Sequence, residues 1–361
     1  RQTCLRIWNN MVLRRMYITG GIGSQGIGEA FTSDYDLPND TAYGESCASI
    51  GLMMFARRML EMEGDAHYAD VMERAFYNTV LGGMALDGKH FFYVNPLETY
   101  PKSIPHNHIY DHIKPVRQRW FGCACCPPNI ARTLVAIGHY LFTPRRDALF
   151  INFYAGSEAQ FTINDQPLAL KISGNYPWDE EVNITFSHPQ AVQHTLALRL
   201  PEWCEAPQVL INGEAAQGEQ LKGYMHITRQ WQQGDIITLR LPMTLRRVYA
   251  NPLVRHNAGK VAIQRGPLVY CLEEVDNGAE LHNLSLPKAS QIREIPGTGV
   301  LEGKIVLQAE GLRVLTAQED KPLYSFDHRQ TAVEKQTLIF IPWFSWANRG
   351  EGEMRIWINE A

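Results

Sequence analysis

The sequence lacks any run of about 18 apolar residues, which excludes a membrane-spanning helix within its 361 residues. Internal repeats and low-complexity tracts are also absent, so a repeat architecture and a compositionally biased tail are excluded. There is no excess of positive charge, because the net charge is -4, and nothing in the composition favours binding to nucleic acid or to an anionic membrane. The hydrophobic share of 45% and the charged share of 20% are typical of a globular protein of two or three domains.

The cysteines do not have the pattern of a disulfide framework. Their number, seven, is odd, and three of them lie in the short run Cys123-Ala-Cys125-Cys126. Such clustering is typical of metal binding in a reducing compartment, so we expect a cytoplasmic protein. The chain opens at Arg1 in what has the pattern of the middle of an amphipathic helix. We therefore expect the natural protein to begin further upstream, where any signal peptide would also lie.

Helical patterns fill the first part of the chain. Ser46 is the predicted N-cap of a helix over residues 47–61, which has apolar residues along one face. The same periodicity predicts a second helix over residues 68–81, which ends at two glycines. A third helix is predicted from Pro127 to Leu141, since proline is favoured in a first helical turn.

Short strands with alternating polarity follow Asp147. The clearest of them cover residues 149–154, 181–186, 195–200, 209–214, 236–241 and 261–270, and the Asn-Gly pair at Asn212 predicts a hairpin. The fold class is therefore predicted as α+β with several domains. We expect a helical domain over residues 1–146 and two antiparallel β-sandwich domains over residues 147–246 and 247–361.

One motif is misleading. Gly21-Ile-Gly23-Ser-Gln-Gly26 matches the dinucleotide-binding pattern, but that pattern needs a helix directly after it to direct its N-terminus at a pyrophosphate. The residues from Glu29 onward instead have a loop composition with Pro38 inside. We therefore reject a nucleotide site and expect these glycines to let the backbone run close to a pocket.

Four residues form a candidate metal site: Glu45, Cys47, Cys125 and Cys126. Zinc accepts thiolate and carboxylate ligands and usually takes four. In an extended segment Glu45 and Cys47 would point the same way, and Pro127 should keep Cys126 out of a helix, in a loop just ahead of a helix N-terminus. The helix dipole would favour a thiolate there. The alternative is that these are inert, buried cysteines.

Several longer runs together resemble glycoside hydrolase family 127. They are spread over the whole chain, and their combination is specific although each run alone is weak. The runs are Met16-Tyr-Ile-Thr-Gly-Gly-Ile-Gly-Ser, Gly28-Glu-Ala-Phe, Tyr35-Asp-Leu-Pro-Asn-Asp, Tyr43-Gly-Glu-Ser-Cys-Ala-Ser, Phe91-Phe-Tyr-Val-Asn-Pro-Leu-Glu, Trp120-Phe-Gly-Cys-Ala-Cys-Cys-Pro-Pro-Asn and Trp346-Ala-Asn-Arg-Gly.

The resemblance implies part of an (α/α)6 barrel followed by two β-sandwiches, and a retaining β-L-arabinofuranosidase with a zinc-bound cysteine nucleophile. The implied zinc ligands are Glu45, Cys47, Cys125 and Cys126. Cys125 falls on the nucleophile, Glu29 on the general acid/base and Tyr93 on a tyrosine of the sugar pocket. The family usually has Thr where this chain has Ser46. Zinc with three thiolates and a carboxylate would carry a formal charge of about -2, which suits a nucleophilic sulfur.

The resemblance also implies β-L-arabinofuranosides as substrates and a homodimer. A six-hairpin barrel needs more helical sequence than lies before residue 147, so we expect this piece of the enzyme to be inactive by itself.

Two other functions stay open. One is a structural zinc module with carbohydrate-binding sandwiches. The other is a uronide hydrolase or lyase of a related helical toroid that uses two carboxylates and would be indifferent to zinc removal.

Overall fold

The computed structural model describes residues 1–145, 148–163, 165–188, 191–315, 323–324, 326 and 332–361. The predicted boundary between residues 146 and 147 lies outside these ranges. In the described chain the helices before that boundary are α1 (Gln2–Arg14), α2 (Ser46–Glu63), α3 (Ala66–Ala75), a π-helical turn (Phe76–Val80), two 3-10 turns (Pro101–His106 and His108–Tyr110), α4 (Cys126–Val135) and α5 (Gly138–Leu141). None of the helices in these ranges has the length and apolar character needed to cross a membrane.

The start of α2 differs from the prediction. Ser46 is the first helical residue and Glu45 takes the N-cap position, without a capping hydrogen bond from its side chain. The Ser46 hydroxyl is fully buried and donates to the carbonyl oxygen of Phe92 at 3.2 Å. A contact with a distant segment has therefore replaced the local cap that a serine before a helix usually forms.

The second predicted helix is continuous but changes its hydrogen-bonding pattern at Phe76. The π-helical turn after α3 carries the fully buried Asn78. Its amide nitrogen donates to the carbonyl of Pro267 at 3.0 Å, and its amide oxygen accepts from the backbone N–H of Val269 at 2.9 Å. A π-helical turn of this kind is uncommon and often has a specific task. Here it places the Asn78 side chain against the segment of Pro267 and Val269.

The middle of the chain is built from two sheets, and its strands agree closely with the predicted ones. The strands up to residue 240 are β1 (Glu98–Thr99), β2 (Phe142–Pro144), β3 (Ala148–Ile151), β4 (Ser157–Ile163), β5 (Gln166–Ser173), β6 (Glu181–Phe186), β7 (Val192–Arg199), β8 (Gln208–Ile211), β9 (Glu214–Ala215), β10 (Glu219–Leu221), β11 (Tyr224–Trp231) and β12 (Ile236–Arg240). A five-stranded sheet has the order β10-β11-β7-β3-β2, and a six-stranded sheet has the order β4-β5-β6-β12-β8-β9.

The predicted hairpin is present between β8 and β9. Asn212 and Gly213 both have positive φ, at 53° and 89°, as a tight hairpin turn with the strands' twist requires. The two sheets meet through apolar side chains, among them Phe186 and Trp231, whose rings stack at 4.5 Å. Within the described part of the chain β3 runs parallel to β7, which departs from the purely antiparallel arrangement that was predicted.

A third sheet of ten strands occupies the end of the chain. Its further strands are β13 (Leu245–Val248), β14 (Lys260–Arg265), β15 (Leu268–Glu273), β16 (Leu284–Leu286), β17 (Ile292–Pro296), β18 (Ile305–Val314), β19 (Val333–Pro342), β20 (Met354–Arg355) and β21 (Ile358–Glu360), with a short helix α6 (Glu274–Asn277) after β15. Because β14 pairs with both β15 and β21, the path of pairing closes on itself. The short strand β1 pairs with β20 and so ties the helical part to this sheet, and β16 runs parallel to β21.

Candidate active site

The four candidate ligands come together in one cluster. The carboxylate of Glu45 and the sulfurs of Cys47, Cys125 and Cys126 lie within 4.8 Å of one another. The Sγ atoms of Cys47 and Cys126 are 3.6 Å apart, and those of Cys125 and Cys126 are 3.8 Å apart. These separations far exceed a disulfide bond length of about 2.05 Å, and all seven cysteines of the chain are free. The cluster is therefore a set of thiols around a carboxyl group.

Two helix N-termini meet at this cluster. Cys47 is the second residue of α2, with Glu45 at its N-cap, and Cys126 is the first residue of α4, with Cys125 at its N-cap. Two predictions about local geometry were therefore wrong, because Cys47 is helical rather than extended and Cys126 lies inside the helix despite Pro127. The bias of a residue before proline against helix is a preference that tertiary contacts can override. The predicted electrostatic benefit remains, since helix N-termini favour negative charge.

A pair of antiparallel loop segments holds the first two ligands in place. The backbone N–H of Ser46 donates to the carbonyl of Tyr93 at 3.1 Å, and that of Asn95 donates to the carbonyl of Tyr43 at 3.2 Å. The buried Asn95 side chain also donates to the Gly44 carbonyl at 2.9 Å. Gly44 has φ +47°, and a Cβ on it would lie 2.9 Å from the Asn95 carbonyl oxygen, so this close approach requires glycine.

Glu29, the expected acid/base, lies on a short hairpin beside the cluster. Gln25 and Ala30 form an antiparallel bridge, and Gly28 and Glu29 both have positive φ, at 74° and 50°. A left-handed backbone at a residue other than glycine is uncommon and occurs more often at functional sites. This hairpin stands where a dinucleotide site would need a helix, so the predicted loop after the glycine motif is confirmed.

Two tyrosines hold Glu29, and one of them also contacts a thiol. The hydroxyls of Tyr43 and Tyr93 donate to the same carboxylate oxygen, Oε1 of Glu29, at 2.9 Å and 3.2 Å. The Cys125 thiol lies 3.3 Å from the Tyr93 hydroxyl and 3.4 Å from Oε1 of Glu45. Tyr93, predicted to line a sugar pocket, thus lies between the expected nucleophile and the expected acid/base.

Burial and the hydrogen bonds within the cluster shift the pKa of all four groups. Burial is the main cause that raises the pKa of Glu45 to about 7 and the pKa of Cys125 to about 12. The pKa of Cys126 is also raised, chiefly by its hydrogen bond to Cys47. That same hydrogen bond is the main cause that lowers the pKa of Cys47 to about 5. The protein alone therefore stabilises one thiolate, and further ionisation of the four groups calls for a cation.

The spacing of the ligand atoms suits zinc. An ideal tetrahedron with zinc–sulfur bonds of about 2.3 Å places two sulfurs about 3.8 Å apart. The sulfur pairs at 3.6 Å and 3.8 Å agree with that value. Oxygen and sulfur ligands at their usual bond lengths lie about 3.5 Å apart. Oε1 of Glu45 is 3.4 Å from Cys125 and 3.9 Å from Cys126. The residues present therefore fit a zinc ion.

Sequence reasoning missed two side chains of this site. Tyr43 lies two residues before Glu45. In an extended loop, residues two apart point to the same side, so this spacing could have predicted that Tyr43 lies near the site. Asn129 lies three residues after Cys126 on α4, and its amide donates to the Cys47 sulfur at 2.9 Å. Residues three apart share a helix face, so Asn129 could have been found once α4 had been placed.

The other conspicuous residues lie around the cluster rather than in it. His106 and His108 are exposed, whereas His112 is half-buried and packs its ring against Tyr43 at 5.7 Å. Cys123 is exposed, and the candidate metal site found in the described residues does not include it. Trp120 is 70% exposed and lies outside the core.

Family models match three consecutive parts of the chain. Residues 1–139 match the β-L-arabinofuranosidase GH127 catalytic domain, and residues 148–243 match the GH127 middle domain. Residues 245–359 match the glycoside hydrolase family 127 C-terminal domain. The chain belongs to glycoside hydrolase family 127. The resemblance in the sequence motifs is therefore confirmed.

Relatives of this family 127 chain are found among curated proteins and solved structures. A non-reducing end β-L-arabinofuranosidase from Bifidobacterium longum subsp. longum is 40% identical over 366 residues, which cover 98% of this chain and 55% of that protein. The crystal structure of a GH127 β-L-arabinofuranosidase from Geobacillus stearothermophilus T6 matches with a TM-score of 0.95 and 50% identity, covering 100% of this chain and 56% of that one. A second structure, described as a GH127 β-arabinofuranosidase, has a TM-score of 0.85 and 32% identity, with 98% of this chain and 55% of that one covered.

The family 127 chain thus spans little more than half the length of these relatives. Its mixed α and β architecture with several sheets agrees with the solved family structures over the shared length.

Proposed function

We propose that this chain carries the catalytic cluster of a retaining glycoside hydrolase that releases β-L-arabinofuranose from a non-reducing end. One observation carries the proposal: a single tyrosine hydroxyl, that of Tyr93, joins the Cys125 thiol at 3.3 Å to the Glu29 carboxylate at 3.2 Å. A nucleophile and a proton donor on either side of one small space are what a double-displacement glycosidase needs. The relatives are named as arabinofuranosidases, which supports β-L-arabinofuranose as the sugar that is released.

Glu45, Cys47, Cys125 and Cys126 would hold a zinc ion. When bound, zinc supplies positive charge that keeps the thiols deprotonated at neutral pH. The surrounding chain prepares this state through the two helix N-termini and through the Asn129 amide, which donates to the Cys47 sulfur.

The chain's own residues perform two displacements. The Cys125 thiolate attacks the anomeric carbon, the bond to the leaving oxygen breaks, and Glu29 gives that oxygen its proton. A thioglycosyl link on Cys125 results. Glu29 then takes a proton from water, the water oxygen attacks the same carbon, and the carbon–sulfur bond breaks with its electrons returning to sulfur. Two inversions give net retention.

The proposal extends to the architecture. Helices α1–α4 would form part of an (α/α)6 barrel, and the sheets after them would form two β-sandwich domains with the boundaries predicted from the sequence. The meeting of the two middle sheets through Phe186 and Trp231 supports the first sandwich. For the second, the strands β14–β21, which all lie between residues 260 and 360, support a separate β domain at the end of the chain. Homodimerisation and a cytoplasmic location stay predictions.

Zinc content and thiol labelling test the function. We expect about one zinc per chain. We also expect iodoacetamide to modify Cys125 in preference to the exposed Cys123, with protection by a β-L-arabinofuranoside. Peptide mass mapping would identify the labelled cysteine.

Other results would contradict the proposal in separate ways. Hydrolysis that persists after complete zinc removal and thiol alkylation would favour the two-carboxylate enzyme. A Cys125→Ser protein that loses zinc and its folded structure together would favour a structural zinc module, because a nucleophile can be replaced without unfolding the chain.

A further inference from the structure

Glu29 needs support from outside its own hairpin. Its side chain is exposed, the neighbouring Ile27 is 85% exposed, and a Cβ on Gly28 would have no atom within 4 Å. A glutamate in such a setting has several side-chain rotamers available, and holding it in one of them costs conformational entropy. A proton donor that must meet one leaving oxygen cannot be left free in this way.

Side chains from other segments hold the Glu29 carboxylate, and they bind the same one of its two oxygens. Within the described residues, the hydrogen bonds to the Glu29 carboxylate come from Tyr43 and Tyr93, and both end on Oε1. An oxygen that accepts two hydrogen bonds is a poor place for a proton. The other oxygen, Oε2, is left to carry it.

The two tyrosines differ in what else they touch. The Tyr93 hydroxyl also accepts from the Cys125 thiol, so it belongs to the nucleophile as much as to the acid/base. Tyr43 has no hydrogen bond to a cysteine among the described residues, and its hydroxyl donates to Glu29 at the shorter distance, 2.9 Å. Tyr43 can therefore be changed with little direct effect on the sulfurs.

The Tyr43 ring is held firmly. It is 8% exposed and packs edge-on against Tyr93 at 6.2 Å and tilted against His112 at 5.7 Å. A ring nitrogen of His112 lies 3.2 Å from the carbonyl oxygen of Thr41, which anchors the histidine in turn. A rigid donor of this kind positions its partner because its own rotamer is locked by packing.

We propose that Tyr43 is a positioning residue for the acid/base: with Tyr93 it holds Oε1 of Glu29, so that Oε2 carries the proton given to the leaving oxygen. This inference rests on the proposed function, in which Glu29 is the acid/base. In the first displacement the proton leaves Oε2 as the glycosidic carbon–oxygen bond breaks, and Oε1 keeps both hydrogen bonds throughout.

The test compares leaving groups in the zinc-loaded, full-length enzyme, because this piece of it is expected to be inactive by itself. Tyr43→Phe keeps the ring and removes the hydroxyl. For an alkyl β-L-arabinofuranoside, whose leaving group needs a proton, we expect kcat/KM to fall by about tenfold or more, since general acid catalysis contributes a factor of about 100 to 10,000. For the 4-nitrophenyl glycoside, which leaves without a proton, kcat/KM should stay within about twofold, because this ratio reports steps up to the first displacement.

Two comparisons make the result decisive. Tyr110→Phe removes another phenol–carboxylate hydrogen bond, from Tyr110 to Asp40 at 2.9 Å, and should change neither substrate's kcat/KM. Glu29→Ala should show the same dependence on leaving group as Tyr43→Phe, and more strongly. Zinc content and melting temperature of each variant confirm that it is loaded and folded.

The outcomes separate the two proposals. If Glu29→Ala shows the dependence and Tyr43→Phe does not, the positioning role is wrong and the acid/base assignment stands. An equal loss on both substrates in Tyr43→Phe would mean a purely structural role and would also overturn the inference. If Glu29→Ala lacks the dependence, the acid/base assignment itself fails, and the inference fails with it.

Discussion

At the scale of single residues, the properties of the cluster depend on the donors around each sulfur. Cys47 and Cys126 share a hydrogen bond with their Sγ atoms 3.6 Å apart, and the Asn129 amide donates to the Cys47 sulfur at 2.9 Å. The hydrogen bond with Cys126 and then that with Asn129 lower the pKa of Cys47 to about 5 against the opposing effect of burial. The residue types alone predict a candidate set of ligands. The donor that tunes Cys47 became visible only when α4 had been placed against α2.

Asn129 should matter for metal binding although it is not a ligand. Asn129→Ala removes the hydrogen bond to the Cys47 sulfur, and loss of such an outer contact typically lowers metal affinity about 10-fold to 100-fold. Competition with a chelating dye would measure the zinc affinity. Arg132→Ala is the control, because Arg132 is exposed on the same helix and contacts no candidate ligand in the described structure. Equal zinc affinity in the Asn129→Ala and wild-type proteins would contradict the prediction.

At the scale of elements, the helices and strands agree with the sequence periodicity. Contacts between them depend on how closely one backbone segment can approach another. The loop after α1 passes the end of α3 at Gly20, which has φ +76°. A Cβ there would lie 2.5 Å from the Cα of Ala75, closer than such atoms can approach. Gly20 therefore lets the backbone approach a helix, and the expected approach of the following motif glycines to a pocket stays a prediction.

A pair of glycine substitutions separates backbone strain from crowding. Gly88→Ala adds a Cβ at φ +68° with no atom within 4 Å, so only the left-handed conformation is penalised, by about 1–2 kcal/mol. Gly20→Ala adds the clash with Ala75 and should cost about 2–5 kcal/mol in the free energy of unfolding. Urea denaturation of the two variants would measure both values. A Gly20→Ala variant that loses no more free energy of unfolding than Gly88→Ala would contradict the predicted clash.

At the scale of the whole molecule, the helical part is joined to the β part by buried charges. Arg199 on β7 is fully buried and forms ion pairs with Asp70 and Glu73 of α3. Glu73 also accepts hydrogen bonds from Tyr176 and Trp203. This network ties α3 to β7 and to the segments of Tyr176 and Trp203.

Breaking this network should be far more costly than breaking a surface ion pair. Arg199→Met leaves Glu73 and Asp70 buried without their cation, which typically costs about 3–5 kcal/mol. Arg240→Met removes the exposed pair with Glu181 and should cost less than about 1 kcal/mol. The unfolding free energies of the two variants can be compared by denaturant titration. Similar losses for both would show that the buried network does not hold the parts together.

The sequence by itself determined what depends on short range. The periods of α2 and of the strands and the Asn212-Gly213 turn follow from neighbours along the chain. The residue types of the four candidate ligands and the motifs of the family are also visible in the sequence. Sequence periodicity could not place the π-helical turn at Phe76, because it depends on a partner far away in the chain, the segment that Asn78 bonds.

Only the tertiary structure decided which side chains surround the site. The Ser46 hydroxyl donates to the Phe92 carbonyl instead of capping a helix, and Cys126 is the first residue of α4 despite the local effect of Pro127. Tyr43 contacts Glu29 because packing brings loop segments together. Hydrogen bonds between residues distant in sequence arise from tertiary packing. Such packing leaves no periodic pattern in the sequence from which it could be predicted.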